Sequence, residues 1–155
     1  MAVILDEVDW AIIRELQAEA RISLSELGRR VQLSASATTE RVRNLEANGV
    51  ITGYHAAVDL VKVGYPVLAV VRLKYPGNRH GPLHRLLAER PEILECLRTT
   101  GDDCYTLKVA ATSMEHLEQL MDELAGFGST TTNVVYRQTL PYRGPAKPDP
   151  GSGAA

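Results

Sequence analysis

The chain is poor in cysteine and in aromatic residues: two cysteines, one tryptophan and one phenylalanine in 155 residues. Two thiols, Cys96 and Cys104, build neither a disulfide framework nor a zinc site, and the four histidines read as scattered singles. Free thiols, buried or on the surface, in a reducing cytoplasm are the expectation. No apolar run approaches the roughly twenty residues that a bilayer span needs. The N-terminus lacks a basic segment followed by an apolar one, so no signal peptide is expected and the cytoplasm, close to the nucleoid, is the expected location. A charge excess is missing too: the formal net charge of -2 argues against a generic binder of polyanions. With no nucleophile–base pair, metal cluster or cofactor motif in view, an enzyme on this chain would leave its first 55 residues without a purpose. Neither a cofactor nor a metal is expected.

What the chain does have is a run of capped helices at its start. Asp6 is placed to cap a first helix to about Ala20, whose Val8, Ile12, Ile13, Leu16 and Ala20 recur every three or four residues. Ser23 and Glu26 have capping-box spacing for a second helix with Leu24, Leu27 and Val31 inside. Ser34 then caps a third, with Val42 and Leu45 inside and Asn48-Gly49 as its stop. Val50–His55 reads as a wing strand, and Trp10 as a packing residue on the first helix. Two short coupled helices bury little by themselves. They present the third, which opens with short polar residues and carries arginines further along, the surface that suits a DNA major groove. Residues 29–43 hold Arg29, Arg30, Arg41 and Arg43 against Glu40, and the acids of the first helix are expected to lie away from them. The candidate DNA contacts are Ser34, Ser36, Thr38, Thr39, Arg41 and Arg43. A helix-turn-helix used only for protein contact is the competing reading, separable by the salt dependence of DNA retention.

The second half has another rhythm. Strands are expected at Val67–Tyr75, Ile93–Thr100, Tyr105 to Val109 and Thr130–Leu140. One helix starts near Pro82 and closes at Pro91, and another opens at a Thr112/Glu115 capping box. The order β-α-β-β-α-β predicts a four-stranded antiparallel sheet with both helices on one face. Apolar residues fall on both faces of the strands, so a second subunit is expected to cover the other face.

Four stretches together carry a family likeness: LDEVDWAIIRELQAEARISLSELGRRVQLS, ERVRNLEANGVITGY, TTGDDCY and GFGSTTTNVV. From about Leu5 to Leu140 the chain resembles the leucine-responsive regulatory protein/AsnC family of transcription regulators, the feast/famine proteins. The resemblance implies an α+β protein, with an N-terminal winged helix-turn-helix (1–53), a linker (54–65), a C-terminal ferredoxin-like βαββαβ domain for ligand binding and oligomerisation (66–143), and a disordered tail (144–155). It also implies double-stranded DNA as partner, dimers that join into tetramers or octamers, and a small-molecule effector, commonly an amino acid held between dimers.

An amino acid needs its ammonium met by carboxylates or carbonyls and its carboxylate met by amides or a cation. Thr100, Gly101, Asp102 and Asp103 in the turn before Tyr105, with Thr130, Thr132 and Arg137 on the last strand, supply those groups. Taken alone the turn reads as an ordinary polar hairpin; the resemblance makes it an effector loop. Two positions depart from the family pattern. Gln32 stands where Gly is common, implying backbone strain. The loop reads Gly-Asp-Asp-Cys-Tyr rather than Gly-Asp-aromatic-Asp-Tyr, with Cys104 expected to be a packed thiol.

Overall fold

The computed structural model describes residues 3–102 and 104–149. Two compact units are present: one runs to Ala56 and takes in the segment from Leu140, and the other is Ala57–Thr139.

The first unit holds α1 (Glu7–Ala18), α2 (Leu24–Val31) and α3 (Ala35–Ala47). Asp6 caps α1 as expected and does more, because it closes a full capping box. Its Oδ1 accepts the Asp9 N–H at 2.8 Å while Asp9 Oδ2 accepts the Asp6 N–H at 3.2 Å. Ser23 caps α2, but the return bond expected from Glu26 is absent, since Arg29 and Arg30 hold that carboxylate. Ser34 caps α3 by accepting the Ala37 N–H. The helix stops in a Schellman turn: Gly49 takes φ 68°, Val50 N–H reaches Leu45 O at 2.9 Å and Gly49 N–H reaches Glu46 O at 3.0 Å. Ile12, Ile13, Leu27, Val42 and Leu45 form the buried core, with Trp10 packed at its margin as expected. Gly28 is where α2 meets the start of α3; a Cβ there would lie 2.8 Å from Leu33 O and Thr38 Oγ1.

Gln32 ends α2 at φ 58°, and among the described residues it alone takes a positive φ without being glycine. The left-handed conformation costs an L-residue roughly 1–2 kcal/mol, part of which a glycine returns as unfolded-chain entropy. Gln32→Gly should therefore raise stability by about 0.5 kcal/mol, read as a higher urea midpoint at unchanged slope; a lower midpoint would show the site unstrained.

The expected wing strand is not formed. Residues 50–59 carry no strand, because none of the described residues offers them a ladder partner. Tyr54 instead turns its hydroxyl onto Glu46 Oε1 at 2.9 Å. Residues 144–149 of the tail run as irregular backbone, with Gln17 Nε2 donating to Pro145 O and Lys147 paired with Glu7 on α1. The remainder of the tail lies outside the described residues.

The second unit contains β1 (Val67–Lys74), α4 (Gly81–Glu89), β2 (Ile93–Arg98), β3 (Tyr105–Ala111), α5 (Met114–Ala125) and β4 (Ser129–Val134). The strands pair antiparallel in the order β2-β3-β1-β4, the βαββαβ arrangement expected. β2 and β4 are shorter than the sequence suggests, ending at Arg98 and Val134 rather than Thr100 and Leu140. The cap of α5 is Ser113, one residue past the expected Thr112, and the hydroxyl of Thr112 meets His116 Nδ1 instead. Alternation decides the faces. Ala69, Val71, Leu73, Leu107 and Val109 point at the helices and are fully buried. On the opposite face Leu68, Val70, Leu97 and Val135, with Glu95 and Lys108, line an open hollow of about 270 Å³, and Leu97 is 52% exposed. Among the described residues no helix is long and apolar enough to cross a membrane.

Candidate functional site

Helix α3 has one stripe turned inward. Thr38, Val42 and Leu45 follow i, i+4, i+7 and are buried. Thr38 is therefore a correction: expected to face a groove, it is fully buried, and its hydroxyl donates to Ser34 O at 2.9 Å against the Gly28 contact. Ser34 is engaged as the cap and touches Ser36 Oγ at 3.1 Å. The outward stripe is Ser36, Thr39, Glu40 and Arg43, spanning two turns, or about 10 Å. Thr39 is partly exposed, with its hydroxyl donating to Ala35 O at 2.7 Å. Glu40 was not among the expected contacts, although its spacing from Ser36 and Arg43 signals the same face. An outward carboxylate there can accept from a cytosine amino group.

The arginines differ sharply. Arg30 is caged by Glu15, Glu19 and Glu26 at 3.0–3.2 Å, and Arg29 chelates Glu26 at 2.7 and 2.8 Å. Those hydrogen bonds, Arg29's first, hold the Glu26 carboxyl down at about 2. Arg41 Nη1 meets Asp6 Oδ2 and Asp9 Oδ1, both at 2.8 Å. The acids of α1 thus do not lie away from the arginine patch, as expected, but neutralise it; helices packed this closely bring α1's carboxylates onto α2 and α3. Arg43 alone of the four is exposed with no ion pair among the described residues.

In the second unit, the β2–β3 turn is closed by Thr99 N–H on Cys104 O at 2.9 Å, and Gly101 takes φ 103°. Thr100 and Asp102 are exposed, and Asp102 has no hydrogen bond or ion pair among the described residues. Asp103 lies outside the described residues. Cys104 is a packed thiol, accepting from Tyr75 N–H at 3.4 Å. Behind the turn sits a relay that the sequence reading missed. Arg98 Nη2 lies 3.2 Å from His80 Nε2, and a guanidinium can only donate, so His80 carries its proton on Nδ1. That N–H donates to Tyr105 OH at 2.8 Å, and the phenol in turn donates to His84 Nε2 at 3.0 Å. Burial, then the Arg98 charge, lowers the His80 pKa, in keeping with a neutral ring. The four-residue spacing of His80 and His84 was the available signal.

The other expected effector residues are elsewhere. Thr130 and Thr132 lie on β4, an edge strand, whereas the loop leaves the opposite edge strand β2, three spacings of about 4.8 Å away. Thr132 pairs with inward Val71, and its hydroxyl donates to Met121 Sδ at 3.1 Å, so it is turned into the fold rather than toward a ligand. Arg137 follows β4 and is exposed. One chain does not bring these residues to one place.

Comparison with known proteins yields matches to two family descriptions: the AsnC-type helix-turn-helix domain over residues 5–46 and the Lrp/AsnC ligand binding domain over residues 68–145. The HTH-type transcriptional regulator LrpC of Bacillus subtilis is 36% identical over 134 residues, 86% of this chain and 93% of its own length. The structure of LrpC superposes with a TM-score of 0.84 at 35% identity, covering 88% of this chain and 97% of that one. A feast or famine regulatory protein from M. tuberculosis, complexed with L-methionine, gives 0.85 at 30% identity over 93% and 100% of the two chains.

Proposed function

The chain belongs to the Lrp/AsnC family of helix-turn-helix transcriptional regulators, and from that membership we propose a division of labour along it. Residues 1–53 read DNA, 54–65 link, and 66–143 dimerise and sense a small effector. The observation that carries the DNA-reading half is the outward stripe of α3, Ser36, Thr39, Glu40 and Arg43, standing clear of the buried stripe beside it. Ser36, Thr39 and Glu40 read base edges, and Arg43 meets phosphate. The first 56 residues hold six arginines and no lysine against eight carboxylates. The head therefore binds by fit to a groove more than by net charge, and its work is done at the nucleoid in the cytoplasm.

The effector is a small molecule, and the L-methionine bound to the M. tuberculosis relative supports an amino acid. The loop Thr100–Asp103 meets the ammonium. Arg137 meets the carboxylate from a second copy, since within one chain it follows the far edge of the sheet. Thr130 and Thr132 contribute from inside the fold by shaping β4.

The test of the DNA-reading half is Arg43→Ala. Each phosphate contact contributes about 0.9 to the slope of log affinity against log salt. The variant should weaken binding to a selected duplex and to random DNA by similar factors, and flatten the slope by about 0.9 for each Arg43 engaged. An unchanged slope would remove Arg43 from the phosphate contacts.

A further inference from the structure

Counting arginines assigns Arg41 to phosphate; its surroundings assign it elsewhere. The capping box of α1 uses one oxygen of each carboxylate, Asp6 Oδ1 for the Asp9 N–H and Asp9 Oδ2 for the Asp6 N–H. The other two oxygens, Asp6 Oδ2 and Asp9 Oδ1, both accept from Arg41 Nη1 at 2.8 Å. All four oxygens are thereby used, and one nitrogen of α3 is tied to both halves of the cap that starts α1. Asp9 and Arg41 are partly buried, with side-chain exposures of 17% and 35%, while Asp6 is 53% exposed. The pairing spans 32 to 35 residues of chain and joins the two helices beside their apolar contact through Ile12, Ile13, Val42 and Leu45.

Apolar contact is non-directional, so on its own it leaves α3 some freedom to roll or slide on α1. A charge-assisted pair of hydrogen bonds at fixed geometry removes that freedom. Arg41 also sits one residue before Val42 and two before Arg43, so any roll of α3 that breaks the bridge turns the outward stripe by the same angle. We infer that Arg41 is a positioning residue of the DNA-reading helix: it does not touch DNA but locks α3 to the Asp6/Asp9 cap and so sets the angle at which Ser36, Thr39, Glu40 and Arg43 enter the groove. The inference rests on the DNA-reading function proposed above and refines it. Hydrogen bonding to Asp6 and Asp9 raises the Arg41 pKa, and hydrogen bonds from the Asp9 N–H and then Arg41 lower that of Asp6, so the contact favours the charged forms of Arg41 and Asp6.

A double-mutant cycle on the full chain tests this, with Arg41→Gln, Asp9→Asn and the double variant, alongside Arg41→Lys. Two probes are used: the duplex that the wild type selects from a random-sequence library, and poly(dI-dC). All affinities are read across a salt series at a temperature where thermal melting shows each variant folded. Positioning predicts that each single variant loses affinity for the selected duplex by about tenfold or more. The double should be no worse than the poorer single, as expected of residues that act as one unit. Affinity for poly(dI-dC) and both salt slopes should stay as in wild type, and Arg41→Lys should recover part of the loss. A phosphate contact predicts the opposite sign at Asp9: Asp9→Asn would free Arg41 and tighten both DNAs, while Arg41→Gln would flatten the slope by about 0.9 per site. Either of those results overturns the inference, as does selected-duplex affinity unmoved in every variant. Wild type that prefers no sequence over poly(dI-dC) would overturn the DNA-reading function itself.

Discussion

Val70→Glu should turn the protein into a folded monomer that has lost most of its specific DNA affinity. Val70 sits in the middle of β1, on the sheet face away from the helices, beside the hollow lined by Leu68, Leu97 and Val135. Across the ladder it faces Lys108. A glutamate there gains a cross-strand partner of opposite charge, so the isolated unit tolerates it. A two-fold dimer closed over this face would meet the change twice, once from each copy, and each buried carboxylate carries a desolvation penalty of several kcal/mol. At about 1.4 kcal/mol per factor of ten, the dimer constant should weaken by at least about a thousandfold. Losing the dimer removes the second reading head, which would otherwise address a half-site one helical turn, about 34 Å, away. Linkage at short tether supplies an effective concentration near millimolar, so its loss should lower specific affinity by about a hundredfold or more. Sedimentation at micromolar concentration and DNA titration read the two effects. A Val70→Glu variant that still sediments as wild type would move the interface off this face.

Much of that architecture could be read from periodicity. The core positions Ile12, Ile13, Leu27, Val42 and Leu45, the alternation along β1 and β3, and the caps Asp6, Ser23 and Ser34 stand where the pattern puts them, because these signals are local; Leu24, expected inside α2, is instead 39% exposed, and Ala20, expected on the stripe of α1, is exposed beyond the helix end. The site was less legible where partners are distant in sequence. A count of arginines cannot show that Arg30 falls among Glu15, Glu19 and Glu26, or that Arg41 meets Asp6 and Asp9, since those choices are made by how helices pack. Thr38 misled because short polar residues at a helix start suggest a groove, yet its spacing from Val42 and Leu45 already placed it on the inner stripe. The wing strand failed for the converse reason: Val50–His55 has strand-like composition, but a strand is defined by its neighbour. Thr132 and the loop read as one site in sequence, and sheet order puts them on opposite edges.

That separation shapes the second large effect, the loss of effector response in Asp102→Ala. Asp102 is exposed and makes no hydrogen bond or ion pair among the described residues, so removing its carboxylate should disturb neither folding nor dimer formation. Gly101 at φ 103° holds the turn open beside it, leaving backbone and carboxylate available to an ammonium. An effector gripped by this loop in one copy and by Arg137 in another stabilises only the arrangement of copies that brings both together. It can shift assembly no further than its affinity differs between arrangements. By linkage the same factor appears in DNA affinity, and couplings of this kind are about 1–3 kcal/mol, or roughly 5- to 150-fold. The ligand is first found by melting the wild type with each of the twenty amino acids, since binding to the native state alone raises the midpoint by mass action. DNA affinity is then measured with and without that amino acid at saturation, for wild type and Asp102→Ala. Wild type should respond within the 5- to 150-fold range, while the variant matches it without ligand and changes by less than about twofold with it. A variant that responds as fully as wild type would reduce the loop to a hairpin turn. The ammonium would then have to be met elsewhere, and the relay of Arg98, His80, Tyr105 and His84 behind the turn offers no carboxylate to do it.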